Sequence, residues 1–202
     1  MDRSGRRRGL GLVLIGSALA ALGFGCASYP PQRQVEGLDL PRFMGDWYVQ
    51  AHIPTGTEED AYNGVESYAL GDDGRVLTSY VFRDGGFDAK LEVLEPVGFV
   101  SDDSNAKWGM RFFWPFRAEY LVSHIDADYS ETIIARTKRD YVWIMTRAPE
   151  ISDERLEALT AIVAELGYDV TKLRRVPQQW PDAGHPVTEA EGPLALHTRA
   201  AD

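Results

Sequence analysis

Cysteine is nearly absent from this chain. Cys26 is the only one in 202 residues, which excludes an intrachain disulfide framework and any Cys pair with metal-ligand spacing. Histidine is scarce as well. His52, His124, His185 and His197 contain no His-x-His pair, so neither a metal nor a cofactor is expected. The sequence also lacks a nucleophile elbow, a P-loop and a Gly-rich dinucleotide fingerprint, and the expectation is a protein that is not an enzyme. Basic residues are outnumbered, 21 Lys and Arg against 31 Asp and Glu, for a formal charge of −10. Phosphate backbones demand the opposite sign, which argues against nucleic acid as a partner. Nor does any apolar run reach the ~20 residues of a bilayer-spanning helix.

The longest uncharged stretch, Gly9 to Gly25, follows Arg3, Arg6, Arg7 and Arg8, and residues 1–25 read as a secretory signal peptide. Cys26 stands directly after it, preceded by Gly25, in a position that resembles a bacterial lipoprotein signal. Ordinary cleavage near Ala27, leaving a soluble secreted protein, is the alternative. The lone cysteine at this place favours lipidation of Cys26. Two or three acyl chains of the palmitate kind, at about 0.8 kcal/mol per buried methylene, would anchor the chain stably. Ala27 in place of Asp after the cysteine, by resemblance to enterobacterial sorting, favours the outer membrane with the domain facing the periplasm. Loss of residues 1–25 removes four Arg and one Asp and shifts the formal charge from −10 to −13. Membrane association then rests on the anchor and not on attraction to anionic headgroups. Residues 26–36, with Pro30 and Pro31, read as a flexible tether.

What the chain has in quantity is aromatic side chains and alternation. Five Trp, nine Tyr and eight Phe fall mostly between Trp47 and Arg147. There, strand signals are broken by short polar turns at 71–74, 84–86 and 138–140. Eight strands are expected at roughly 46–54, 64–71, 75–83, 86–100, 106–114, 118–126, 131–137 and 140–147, the fourth bent near Pro96 and Gly98. Trp47, Val49, Ala51 and Ile53 are expected on one face of the first. Short connections make neighbours antiparallel, and eight such strands close an up-and-down β-barrel. After Pro149 the period changes. Ser152 suits an N-cap, Gly167 a helix stop, and Leu156, Leu159, Ile162, Val163 and Leu166 form the stripe of one α-helix packed outside the barrel. The all-β domain is expected over 37–177, and a disordered tail over 178–202.

Three segments stand in a telling order: Gly45-Asp46-Trp47-Tyr48 at the first strand, Asp126-Ala127-Asp128-Tyr129 in a late turn, and Thr146-Arg147 closing the last strand. Together they resemble the lipocalin family, closest to its bacterial outer-membrane lipoproteins. The segments 111–116, 141–149 and 167–172 carry the likeness further, from about Leu40 to Val176. The resemblance implies Arg147 packed across the Trp47 indole, worth roughly 0.5–2 kcal/mol. It also implies Gly45, Asp128 and Tyr129 in structural roles, a first loop from Pro54 to Asn63 over the open mouth, and a short strand near 172–176. The lipocalin enzymes that isomerise lipids use a barrel cysteine, which this chain lacks.

For the barrel interior, ordinary core packing is the whole account of Trp47. For the other aromatics, packing and binding hold together: a pocket walled by apolar groups with few polar anchors suits an acyl chain. The expected lining is Tyr80, Phe82, Trp108, Met110, Phe112 and Tyr141. A fatty acid or lysophospholipid is the ligand class that the resemblance implies; the residues alone imply an elongated apolar ligand. An exposed patch at Phe112-Phe113-Trp114-Pro115-Phe116 could meet a membrane, a ligand at the mouth or a second copy in a homodimer. For His52 and His124, outward or satisfied strand positions outweigh a haem-ligating or mouth-lining role, and Glu58-Glu59-Asp60 reads as a solvated run. A haem or pigment carrier, a small-molecule enzyme on the same fold, and a structural envelope protein acting through its rim are the alternatives.

Overall fold

The computed structural model describes residues 29–56 and 58–187. Signal peptide, Cys26 and His197 lie outside the described residues. The chain begins with a short helix α1 (Leu40–Phe43), followed by β1 (Gly45–Ile53), β2 (Ala61–Leu70) and β3 (Val76–Asp84). Next come β4 (Leu91–Leu94), β5 (Val97–Val100), β6 (Lys107–Phe113) and β7 (Phe116–Ile125). β8 (Glu131–Ala135), β9 (Val142–Thr146), the helix α2 (Asp153–Glu165), a 3-10 turn and β10 (Arg174–Arg175) complete it. Neighbouring strands pair antiparallel in sequence order, β4 and β5 both pair with β3, and β1 pairs with β9 to close the ring. Because β4 and β5 are halves of one strand position, the ring has the expected eight positions.

The split fourth strand follows from Pro96, which has no N–H to give a ladder. Its carbonyl instead accepts from the Thr78 amide at 3.3 Å and from Thr78 Oγ1 at 2.6 Å. The expected strand start at 86 is not realised; pairing begins at Leu91. At the other end of the alternation β2 starts at Ala61, three residues early, because a register shift between Tyr62 and Val65 lets the strand continue through Asn63 and Gly64. The connection at 114–115 is tight: β7 begins at Phe116, which pairs with Phe113.

One facial assignment is overturned. Trp47 and Val49 face the interior of the barrel, but Ala51 and Ile53 face α2. The register of β1 against β9 shifts between Val49 and Ala51, and one extra residue in a strand exchanges the two faces. Gln50 sits at the bulge, donating from Nε2 to Thr146 Oγ1 at 2.8 Å and to the Ala148 and Pro149 carbonyls. The strand therefore serves two cores. Its first half closes the barrel. Its second half, with Ile133, Ala135, Val142 and Ile144, receives Leu159, Val163 and Leu166 of α2. That helix is capped as expected: Ser152 Oγ accepts from the Arg155 amide, and Gly167 takes a positive φ of 87°.

Both ends of the described chain are docked, and contacts to the barrel extend beyond the expected 37–177 on either side. From Arg33 onward the supposed tether lies on the barrel: Ser123 Oγ donates to the Arg33 carbonyl at 2.6 Å, and the Val35 amide to the Val122 carbonyl at 2.9 Å. The tail expected to be disordered from Gln178 packs as far as Val187. Gln178 Nε2 donates to the Val49 carbonyl, Trp180 meets Tyr48 edge-on, and His185 is fully buried. Asp182 accepts from Asn63 at 2.8 Å and from Arg83 at 2.6 and 2.9 Å. These segments are held by individual polar contacts and single rings and not by a periodic apolar face, so no sequence period announces them.

Candidate functional site

The strand directions define two ends. β1, β8 and the loops at 71–75 and 126–130 place the closed end beneath Trp47. The loops at 54–60, 85–90, 114–115 and 136–141 surround the mouth. At the closed end Asp39 caps α1 and puts the buried Phe43 under the barrel, where its carbonyl accepts from Trp47 Nε1 at 2.8 Å. The Arg147 guanidinium lies 3.7 Å from the Trp47 ring. Its Nη1 donates to the Asp46 carbonyl and its Nη2 to the carbonyls of Arg42, Phe43 and Met44. Burial lowers its pKa to about 10, which still leaves it charged at neutral pH. Gly45 takes a φ of 91°, and a Cβ there would stand 3.3 Å from Arg147. Tyr129, at a φ of 58°, accepts from the Asp39 amide through its hydroxyl at 2.9 Å, with Arg42 over its ring. Asp128 is exposed in the same turn; the turn is organised by Asp126, which accepts from the Ser130 and Glu131 amides.

Above this floor is a cavity of about 280 Å³, at the lower bound of typical ligand pockets. Of the expected lining residues, Tyr80, Met110, Phe112 and Tyr141 stand on its wall. Phe82 does not: it is buried, stacks on Tyr80 at 4.8 Å and borders a second hollow at the mouth with Leu94, Asp60 and Arg174. Trp108 does not either. It begins β6 at the closed end, lies parallel to Tyr120 at 4.9 Å and meets Phe43 and Tyr68 edge-on. Its Nε1 donates to the Asn105 carbonyl at 2.7 Å. The plug thus comprises several rings, of which Trp47 is one.

The wall also holds groups that sequence reasoning passed over: Glu58, Glu66, Tyr120, Arg136 and Trp143. Glu66 faces inward beside Tyr80, its direct cross-strand partner, and is 2% exposed. Alternation could have placed it there, since Glu66 shares a face of β2 with Tyr68. Burial first, and Glu58 second, push its carboxyl well above the usual carboxylate range. Glu58 departs from the solvated run expected of it: it is 5% exposed and accepts from the Thr55 amide and hydroxyl, while Glu59 and Asp60 are exposed. Glu66 Oε2, the Tyr80 hydroxyl, Trp143 Nε1 and Arg136 Nε have no hydrogen-bond partner among the described residues. A wall of rings with four converging unpaired polar atoms can orient an amphiphile.

His52 corrects another expectation. It is fully buried, shares the inner face with its partner Trp143, and neither ring nitrogen is paired. Burial, then Arg174, lower its pKa to about 4. His124 is half-buried, and burial lowers its pKa too. Neither lines the cavity, and no group of three or more His, Cys, Asp or Glu among the described residues is arranged to hold a metal ion.

The rim is apolar. Phe112 and Phe113 line the cavity, and Phe113, Trp114 and Phe116 are respectively 67%, 82% and 67% exposed. Arg111 and Arg117 both stack on Phe99 just outside it.

Comparison with known proteins agrees with this geometry. Residues 38–178 match the lipocalin-like domain. The outer membrane lipoprotein Blc of Escherichia coli K12 is 32% identical over 173 residues, covering 83% of this chain and 97% of that protein. The temperature-induced lipocalin-1 of Arabidopsis thaliana is 31% identical, covering 71% and 81%. Among solved structures, insecticyanin from the tobacco hornworm superposes with a TM-score of 0.57 at 16% identity, covering 77% of this chain and 87% of that one. The closed eight-position barrel, its Arg147-on-Trp47 plug and the domain match place this chain in the lipocalin family.

Proposed function

We propose that the barrel binds an elongated apolar lipid reversibly and carries it within the cell envelope, without covalent chemistry. The observation that carries this reading is the cavity itself, walled by rings, opening at an apolar rim and bearing a few convergent polar atoms. A fatty acid or lysophospholipid is the ligand class, as first suggested by the likeness to bacterial outer-membrane lipoproteins. Tyr80, Met110, Phe112 and Tyr141 are its apolar contacts; Phe82 lies at the mouth, and Trp108 belongs to the floor. The proposed anchor is acylated Cys26, at the outer membrane and facing the periplasm. The path of the N-terminal segment supports this. The Pro30 carbonyl accepts from Arg139 Nη1 at 3.1 Å in the mouth-end loop, and Asn105 holds the Leu38 carbonyl at the closed end. The chain thus enters from the mouth side and runs down the barrel, so an acylated Cys26 would tether the protein by its open end. A bilayer then becomes the natural neighbour of Phe113, Trp114 and Phe116.

Native mass spectrometry of the chain from Ala27 onward, delipidated and titrated with fatty acids and lysophospholipids, tests the reading. One lipid per barrel, with affinity rising with chain length, is the expected result. Absence of saturable uptake by a folded barrel would overturn it.

A further inference from the structure

We infer that the inner wall around Glu66 is a head-group site for an ammonium cation, and that the barrel prefers a cationic amphiphile to a carboxylate of equal chain length. The inference deepens the carrier reading and rests on it; of the two lipid classes proposed, it selects the lysophospholipid, whose head can carry an ammonium, over the free fatty acid.

Glu66 is the most buried carboxyl on the wall, and it lacks a counter-charge among the described residues. The neighbouring cations have carboxylate partners of their own: Arg136, which borders the cavity, pairs with Asp140 at 3.4 Å while its Nε stays unpaired, Arg174 pairs with Asp60 at 2.9 Å, and Lys107 with Glu119 at 3.9 Å. Glu66 has no ion pair among the described residues, and its Oε2 accepts no hydrogen bond although the residue is almost fully buried. What surrounds it instead is aromatic. Tyr80 is its direct partner on β3. The Tyr80 and Trp143 rings lie 4.8 Å apart, and Tyr141 meets Trp143 at 5.9 Å and nearly at right angles. All three border the same cavity. Ring faces set around a carboxyl form the chemistry that holds a quaternary ammonium.

The groups around Glu66 allow this: Arg136, the one cation bordering the cavity among the described residues, already has its charge paired with Asp140. The hydroxyls of Tyr68, Tyr80, Tyr120 and Tyr141 are driven up by burial and stay neutral. His52 stays neutral at pH 7. Glu58, from the mouth loop, adds a second acid. A carboxylate brought in would lie against two acids, whereas an ammonium stabilises the ionised form of Glu66. Burial holds the Glu66 carboxyl well above the usual carboxylate range, and a cation beside it favours the ionised form. Entry of the cation therefore shifts the carboxyl toward carboxylate and releases protons to solvent; no bond to the ligand forms. With the head at Glu66, the alkyl chain follows β6 from Met110 to Phe112 and Phe113 at the rim, which is where the apolar surface lies.

Calorimetric titration of the purified, delipidated protein at pH 7 with dodecyltrimethylammonium, dodecanol and dodecanoate, each below its micellar concentration, tests this. The ammonium should bind about tenfold or more tighter than dodecanoate. It should also release protons, read from buffers of different ionisation enthalpy, where dodecanol releases none. Glu66→Gln should bring the ammonium to within about threefold of the alcohol and abolish the release. The proton count is made on the unaltered protein, so it stands even where the variant folds poorly. Equal binding of all three ligands, tighter dodecanoate, or no proton release would overturn the inference while leaving the carrier reading intact. Failure of all three to bind would overturn both.

Discussion

Trp108→Ala should unfold this protein readily and leave its ligand site nearly untouched. The Trp108 side chain is 1% exposed and wedged between Tyr120, Phe43 and Tyr68 at centroid distances of 4.9, 5.6 and 5.7 Å. Removing a buried Trp costs about 3–5 kcal/mol. The high end applies here, because three ring contacts worth about 0.5–1.5 kcal/mol each go with it. The Asn105 carbonyl loses its donor as well. Against a total stability of about 5–15 kcal/mol this is a large share. At about 2–4 °C per kcal/mol for a chain of this size, the melting temperature should fall by about 10–20 °C. Calorimetry and urea unfolding measure the loss, and lipid titration at a temperature where the variant is folded measures the rest. Trp108→Phe, which keeps a ring in the stack, should lose about half as much. Should Trp108→Ala melt within 2 °C of the parent while ligand affinity drops tenfold, Trp108 would be a pocket residue and the floor would lie lower than described.

Arg147→Lys keeps the charge but loses the planar fork that reaches the carbonyls of Asp46, Arg42, Phe43 and Met44. It should cost about 2–3 kcal/mol in urea unfolding, with a loss below 0.5 kcal/mol arguing against the plug. His52 has a folded-state pKa of about 4, below its ordinary value, so its contribution to stability is present above pH 6.5 and is lost as pH falls toward 4. The full amount is about 3 kcal/mol. His52→Phe should therefore flatten the difference between urea midpoints at pH 7 and pH 4, and an unchanged difference would refute its burial. Asp182→Ala leaves the half-hidden Arg83 without its carboxylate and should cost about 2–4 kcal/mol. A chain ended at Pro177 should lose at least as much by the same assay, whereas equal stability would mean that the 178–187 segment is ornamental.

How far the sequence could be read depended on which kind of order each residue obeyed. Period-2 alternation and polar turns gave the strands, and Ser152, Gly167 and the leucine stripe gave α2 with its docking face. The plug could be anticipated because Gly45, Trp47 and Arg147 resemble a family pattern, and the structure adds the reason in five backbone carbonyls held by one guanidinium. Alternation says which face a residue takes but not how high it stands in a barrel. That is why Tyr80 and Met110 border the cavity while Trp108, on the same inner face, belongs to the floor. Glu66 was passed over because a charged residue in a strand is ordinarily solvent-facing, although its phase with Tyr68 pointed inward. Glu58 was hidden by the company of Glu59 and Asp60, which do face water. The packing of residues 178–187 rests on Trp180, Asp182 and His185 acting one by one, a kind of order that has no period to detect.

The bulge at Gln50 has a consequence for how this barrel can change over time. On either side of it β1 reads out to two different cores, so the count of residues between Trp47 and Ile53 matters more than their identity. Swapping Val49 for Ile or Ala51 for Ser alters one contact. Deleting Gln50 would turn Ala51 and Ile53 toward the cavity and His52 toward α2, damaging both cores in a single step. Substitutions can therefore accumulate along β1, but insertions and deletions should be confined to the mouth loops, where ligand preference can drift while the strand keeps its length.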